Sequence, residues 1–311
     1  MRIAFFGSGS PMSALALDAV AAHGTVVAVV VPAAVRGRGP RALWRALARR
    51  RAARVLTERA RGLGARALPF ARGRDGDLAA ALSALRPDLV CVATFPYLVP
   101  PTALALAPLG ALGLHPSLLP RHRGPDPLFW SYFDGDDVTG VSVFRLDEGA
   151  DTGPVVAQET VALPRGRPGH EVYDEIARRG AGLLAAAVAR AAAGKVEGVP
   201  QDEGAATRQP APSVDTCRVA LGGCAAAWLW HFLRGVGHHR PLVRAAEGVP
   251  LLHGAARDYR LGAAAPPGTV QRHDRAWRLH CRDGHVEVEG APWTLAAHAP
   301  FMAARPRVLP R

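Results

Sequence analysis

The chain has 311 residues, enough for one large domain and a smaller one, each with its own core. Hydrophobic residues make up 49% of it, yet no apolar run approaches the roughly 18 residues of a membrane span, and the opening Met1-Arg-Ile-Ala-Phe-Phe-Gly7 has no signal-peptide character, so a cytoplasmic location is expected. The net charge of +12 invites a nucleic-acid partner, but Lys195 is the only lysine and arginine is spread throughout among abundant Ala, Gly and Pro, so charge alone argues weakly for one.

In chain order, residues 2–6 read as a first strand, Gly7-Ser-Gly-Ser-Pro11 as a turn, and Ala14, Leu15, Leu17 and Val20 as one face of a helix: the opening of a β-α-β unit. A dinucleotide fingerprint would need a third glycine and an acidic residue closing the second strand. Residues 25–31 run instead into Pro32-Ala-Ala, so the glycines read as a tightly packed turn. The segment from Arg36 to Arg66 is strongly basic, with a helix placing Arg41, Arg45 and Arg49 on one face and Leu43, Trp44 and Leu47 available for packing. A helix over residues 77–85 and a strand over 88–93 follow; the continuous apolar run of that strand suits a parallel sheet covered on both faces. In the loop from Thr94 to Pro101, Phe95, Tyr97 and Leu98 are candidate pocket-lining residues.

The most informative stretch is Gly113-Leu-His-Pro-Ser-Leu-Leu-Pro-Arg-His-Arg-Gly-Pro-Asp-Pro127. His115 ends an apolar segment and the chain turns at once through Pro116 and Pro120, which puts the imidazole at the mouth of a sheet, where open α/β sheets place their chemistry. The later run Asp147-Glu-Gly-Ala-Asp-Thr-Gly153 supplies a carboxylate, Asp151, that could orient the ring. Between and after them we expect a helix over 126–133, strands over 139–146 and 154–159, and a long helix over 168–193 closed by Gly194. The polar stretch 201–212 reads as a linker, giving domains at 1–203 and 213–311 with residues 204–212 between them. The last hundred residues hold a helix over 225–234 and short strands at 251–253, 268–271, 277–281 and 285–288, the pattern of a small barrel. The four cysteines are scattered with no C-x-x-C pair; buried small hydrophobes, and no metal site, are expected.

His115-Pro-Ser-Leu-Leu-Pro-x-x-Arg-Gly, followed 36 residues after the histidine by the last Asp of Asp-Glu-Gly-x-Asp-Thr-Gly, resembles the active-site signature of folate-dependent formyltransferases. It is most similar to the methionyl-tRNA formyltransferase family, which includes sugar and other small-molecule N-formyltransferases. The resemblance implies an α/β fold: an N-terminal Rossmann-like formyltransferase domain with a mostly parallel sheet, plus a small C-terminal OB-like β-barrel domain. It implies 10-formyltetrahydrofolate or a related one-carbon tetrahydrofolate as donor, His115 as the proton shuttle and Asp151 as the group that holds it. Phe95, Tyr97 and Leu98, with Asp147 and Gly149, would line the folate pocket; Asp147 also suits a loop cap. Ser117 and Arg121 would shape the loop, with Arg121 or Arg123 a partner for anionic substrate groups. Initiator tRNA enters as a possible partner because tRNA-modifying relatives contact the acceptor stem through a basic insertion at the place of the Arg36–Arg66 segment.

One position departs from the pattern. The family has an asparagine two residues before the histidine, and here Gly113 stands there. Losing one donor to a developing oxyanion costs about 100- to 1000-fold in rate, about 3–4 kcal/mol. The expectation is therefore a one-carbon transferase, formyl or formimidoyl, acting on a primary amine of a small metabolite such as an amino sugar or specialised natural product. A formimidoyl donor suits the missing amide, since its nitrogen can already be protonated. Methionyl-tRNA formylation and a catalytically inactive folate-binding relative are the alternatives.

Overall fold

The structure, a computed structural model, describes residues 1–33, 40–194, 196–213, 218–236, 244–245 and 256–289; for residues 40–45, 48, 49, 218, 244 and 245 it describes the backbone alone. The chain divides into two compact units, one of residues 1–124, 139–161 and 174–209, the other of 125–138, 162–173 and 210–311.

In chain order the elements are β1 (Arg2–Gly7), α1 (Pro11–Ala21), β2 (Thr25–Pro32), α2 (Pro40–Gly62), β3 (Arg66–Phe70), α3 (Asp75–Leu85), β4 (Leu89–Ala93), the short α4 (Pro101–Leu104) and β5 (Ala111–His115). Then come α5 (Pro127–Asp134), β6 (Val138–Arg145), β7 (Val155–Ala162) and α6 (Gly169–Ala192). The seven strands form one sheet in the order β3-β2-β1-β4-β5-β6-β7. β1 runs parallel to β2 and β4, β2 to β3, and β4 to β5; β6 is antiparallel to β5. This is the Rossmann-like, mostly parallel sheet that the signature implies. The chain's direction of winding reverses between β1 and β4, which opens the crevice beyond the carboxyl ends where such sheets bind ligands.

The local causes are plain. β1 and β2 are buried along almost their whole length, as continuous apolar runs covered on both faces must be. Ser10 caps α1 by accepting from Ser13 N at 3.2 Å, and Pro11 follows at the first helical position, where a missing N–H costs nothing. Gly9, at φ +86°, presses on α2: a Cβ there would lie 1.9 Å from Ala52 O, which accounts for the glycine turn by packing. The edge strand β3 has no counterpart among the expected elements, because Arg-Ala-Leu-Pro-Phe is half-exposed and carries a proline that an edge strand tolerates. The side chains of Arg41, Leu43, Trp44, Arg45 and Arg49 lie outside the described residues, and Leu47 is exposed.

The second unit holds α7 (Ala226–Val236), a short parallel pair β8 (Arg218–Val219) and β9 (Arg244–Ala245), and the strands β10 (Ala256–Leu261), β11 (Val270–His273), β12 (Ala276–His280) and β13 (Gly284–Glu289). The last four form an antiparallel sheet in the order β10-β13-β12-β11, a small β unit. The strand expected at 251–253 lies outside the described residues, while β10, whose side chains are largely polar and half-exposed, had no apolar alternation to reveal it. α5 joins this unit through rings: Phe129 and Phe133 pack edge-on against Phe232 of α7 at 5.5 and 5.8 Å between centroids, and Trp228 stacks on Phe232 at 5.1 Å. His231 of α7 is fully buried, its Nδ1 accepting from Gly166 N at 3.0 Å.

Candidate active site

His115 is the last residue of β5 and is 6% exposed. Its Nε2 lies 2.9 Å from the carbonyl oxygen of His122, and its Nδ1 lies 3.7 Å from Asp151 Oδ1. A carbonyl only accepts, so this geometry assigns the proton of the neutral ring to Nε2 and leaves the lone pair on Nδ1, facing the carboxylate. The loop behind the ring is held by its own polar groups and by side chains of β6 and β7. Ser117, fully buried, donates from N to His115 O at 2.9 Å and from Oγ to Arg121 O at 2.7 Å. Ser142 on β6 donates to Ser117 O at 2.6 Å and accepts from Leu119 N at 3.0 Å, and Gln158 on β7 donates to both Ser142 Oγ and Leu119 O, at 2.8 and 2.7 Å.

Asp151 is fixed as firmly. Its Oδ2 accepts from Gly124 N at 2.9 Å, which ties the acidic loop to the loop after β5, and its backbone is left-handed at φ +59°. Gln201 donates to the carbonyl oxygens of Asp151 and Gly153 at 2.9 and 2.7 Å, while its Oε1 accepts from Arg123 Nε and Nη2 at 3.1 and 2.9 Å. Arg123 is only 3% exposed; its guanidinium turns inward and also grips Glu203 with both nitrogens, at 2.9 and 2.6 Å. Thr207 accepts from His122 N at 2.7 Å, and backbone bonds from Thr207 to Pro120 and from Gln209 to Arg123 complete the lacing. Residues 201–209, read from sequence as linker, thus lie as a strap along the histidine loop. Gln201, Glu203 and Thr207 were missed, and their only sequence signal was a run of polar residues.

The other candidates lie nearby with different partners. Asp147 Oδ1 accepts from Gly149 N at 3.0 Å and from Thr152 Oγ1 at 2.7 Å, so this carboxylate caps the acidic loop that carries Asp151. Arg121 is exposed on the histidine loop. Phe95 anchors its loop in the core, 5.4 Å from Phe6 edge-on, 6.0 Å from Phe70 and 5.6 Å from Tyr97, whose ring carries the Arg72 guanidinium at 5.6 Å. Leu98, in contrast, is 62% exposed. Gly113 lies on the same face of the sheet as His115, between Val92 of β4 and Phe144 of β6. A Cβ there would lie 2.5 Å from Phe144 Cε1 and 2.8 Å from Leu146 Cδ1, so a side chain at 113 would require those two side chains to move.

The family profile described as formyl transferase matches residues 1–188, the stretch that holds the sheet, the histidine loop and the acidic loop. The chain belongs to the formyl transferase family. Among its relatives in that family is the methionyl-tRNA formyltransferase of Chloroflexus aggregans, 39% identical over 209 residues, which cover 67% of this chain and 64% of that one. The match therefore spans less than two thirds of the relative's length. Among solved structures, an N-formyltransferase from Helicobacter canadensis, solved in complex with folinic acid and dTDP-3-aminofucose, superposes with a TM-score of 0.69 at 12% identity, over 94% of this chain and all of that one. HypX from Aquifex aeolicus, solved with tetrahydrofolic acid, superposes with a TM-score of 0.59 at 17% identity, over 99% of this chain and 48% of that one. At these identities the superpositions establish the shared fold.

Proposed function

We propose that the protein is a cytoplasmic, tetrahydrofolate-dependent one-carbon transferase acting on a primary amine of a small metabolite, an amino sugar or a specialised natural product, with formyl or formimidoyl as the unit moved. The observation that carries this reading is His115 Nδ1 facing the Asp151 carboxylate at 3.7 Å while Nε2 is committed to a carbonyl. When bound, a one-carbon tetrahydrofolate supplies the electrophilic carbon and the leaving nitrogen. His115 Nδ1 takes the proton from the attacking amine and returns it to the departing nitrogen, and Asp151 holds the imidazolium in between. The chain's residues suit the cofactor: Leu98, exposed on a loop that Phe95 and Tyr97 anchor, offers apolar surface to a flat pterin, and the capped loop of Asp147 and Gly149 offers backbone groups. Arg121, exposed on the histidine loop, is the candidate for an anionic part of the substrate; the guanidinium of Arg123 is buried and held by Glu203 and Gln201.

Release of tetrahydrofolate from 10-formyl- or 5-formimidoyltetrahydrofolate in the presence of a panel of amines tests the reading; it fails if neither donor is consumed with any amine. A second reading, methionyl-tRNA formylation, draws on the relative at 39% identity. It requires binding of initiator tRNA that weakens steeply with salt. A third, an inactive folate-binding relative, draws on Gly113 and predicts folate binding with no turnover.

A further inference from the structure

Gly113 is more than a missing amide. It lies one alternation deeper along β5 than His115, on the same face, opposite Phe144 in the antiparallel register. Phe144 is 5% exposed, and its ring leans across the strand so that a Cβ on residue 113 would lie 2.5 Å from Cε1 and 2.7 Å from Cζ. Carbon atoms in contact sit roughly 3.5–4 Å apart. Ring and glycine therefore define each other: the phenyl occupies the volume that a side chain at position 113 would take.

Resting on the one-carbon transferase reading, we infer that Phe144 is a specificity-determining residue, and that the Gly113/Phe144 pair selects a donor whose one-carbon unit is a cationic amidinium over one whose unit is a neutral formyl. Attack on a formyl carbon drives an electron pair onto oxygen, and that oxyanion needs a hydrogen-bond donor; a phenyl ring has none to offer. Attack on an amidinium carbon forms the new C–N bond while the C=N pair moves onto an NH2 group, discharging a cation instead of creating an anion. The positive charge passes to the incoming nitrogen, whose proton goes to His115 Nδ1 and then to the folate nitrogen as its bond to carbon breaks. No further reactant is needed. A cation is also what the surroundings favour, with the Asp151 carboxylate beside His115 and an aromatic ring on the same face.

The test uses hydroxylamine as a generic nucleophile and 10-formyl- and 5-formimidoyltetrahydrofolate as donors, with tetrahydrofolate release measured against a protein-free control. Wild type should use the formimidoyl donor at least about tenfold faster. Gly113→Asn with Phe144→Ala, which restores the amide and clears its space, should gain formyl transfer about tenfold or more. Phe144→Leu, which keeps an apolar side chain and removes the ring, should lose formimidoyl transfer several-fold more than it loses formyl transfer; this shift of the donor ratio decides alone if the double variant does not fold. Folded, folate-binding variants that share the wild-type donor ratio would overturn the inference and leave the transferase reading standing. Wild type that releases tetrahydrofolate from neither donor overturns both.

Discussion

His115, at the end of β5, and His231, inside α7, are both buried, 6% and 0% exposed, yet their rings meet opposite surroundings. His231 Nδ1 accepts a backbone N–H from Gly166, so that nitrogen has to stay unprotonated, and burial, helped by the Arg165 charge, pushes the pKa down to about 4. His115 has acceptors at both nitrogens, a carbonyl at Nε2 and a carboxylate at Nδ1, so a second proton on the ring finds a partner waiting. Burial alone does not tell the two histidines apart. What faces their nitrogens does.

The sharpest way to break that contrast is to remove each ring in turn. His115→Asn should lower kcat/KM about 1000-fold, within the range of a lost general acid–base group, with little change in Tm. Asp151→Asn, which can still accept from Gly124 N but no longer holds an imidazolium, should cost about 100-fold. His231→Asn should leave turnover near wild type. Steady-state kinetics on the three variants decides it: if His231→Asn slows turnover as much as His115→Asn, the two histidines are not different in kind.

How much of this could be read in the sequence depends on whether the cause of a feature is local or distant along the chain. β1, β2 and β4 are covered on both faces, so each appears as an unbroken apolar run; the edge strand β3 and the polar β10 are half-exposed and left no such run. His115 and Asp151 were legible because proline turns and a fixed spacing mark them in one dimension. The strap was not, because Gln201 and Thr207 reach partners 78 and 85 residues away, through bonds with no periodicity. Gly113 stood out as a departure, but its cause, the ring of Phe144, is a cross-strand relation that needs the β5–β6 register to be seen.

His231 gives a smaller effect with a definite sign. Its ordinary pKa is near 6.5 and its folded one about 4, so between those values the unfolded chain takes up a proton that the folded chain refuses. The stability this provides is complete above about pH 6.5 and is lost as pH falls toward about 4, up to about 3 kcal/mol in total. Urea midpoints from pH 7 to pH 4 should fall more steeply for wild type than for His231→Asn, whose amide oxygen still accepts from Gly166 but does not titrate. Parallel curves would mean that the Gly166 bond does not hold the ring neutral, and the contrast with His115 would lose one side.

The smallest expected effect tests whether the firmness of Asp151 matters for catalysis or only for folding. Gln201→Leu removes two donors to the acidic loop and one acceptor from the guanidinium of Arg123. Because Gln201 is only partly buried, water can replace some of these bonds, and the cost in stability should be about 1 kcal/mol, at the low end for a group left short of partners. If the strap serves to hold Asp151 against His115, kcat should fall several-fold at unchanged KM. Gln201→Glu, which can still accept from Arg123 but cannot donate to the two carbonyls, should show the same kinetic loss with less loss of stability. A Tm shift without a change in kcat would place the strap with His231, among the groups that keep the fold and take no part in moving the proton.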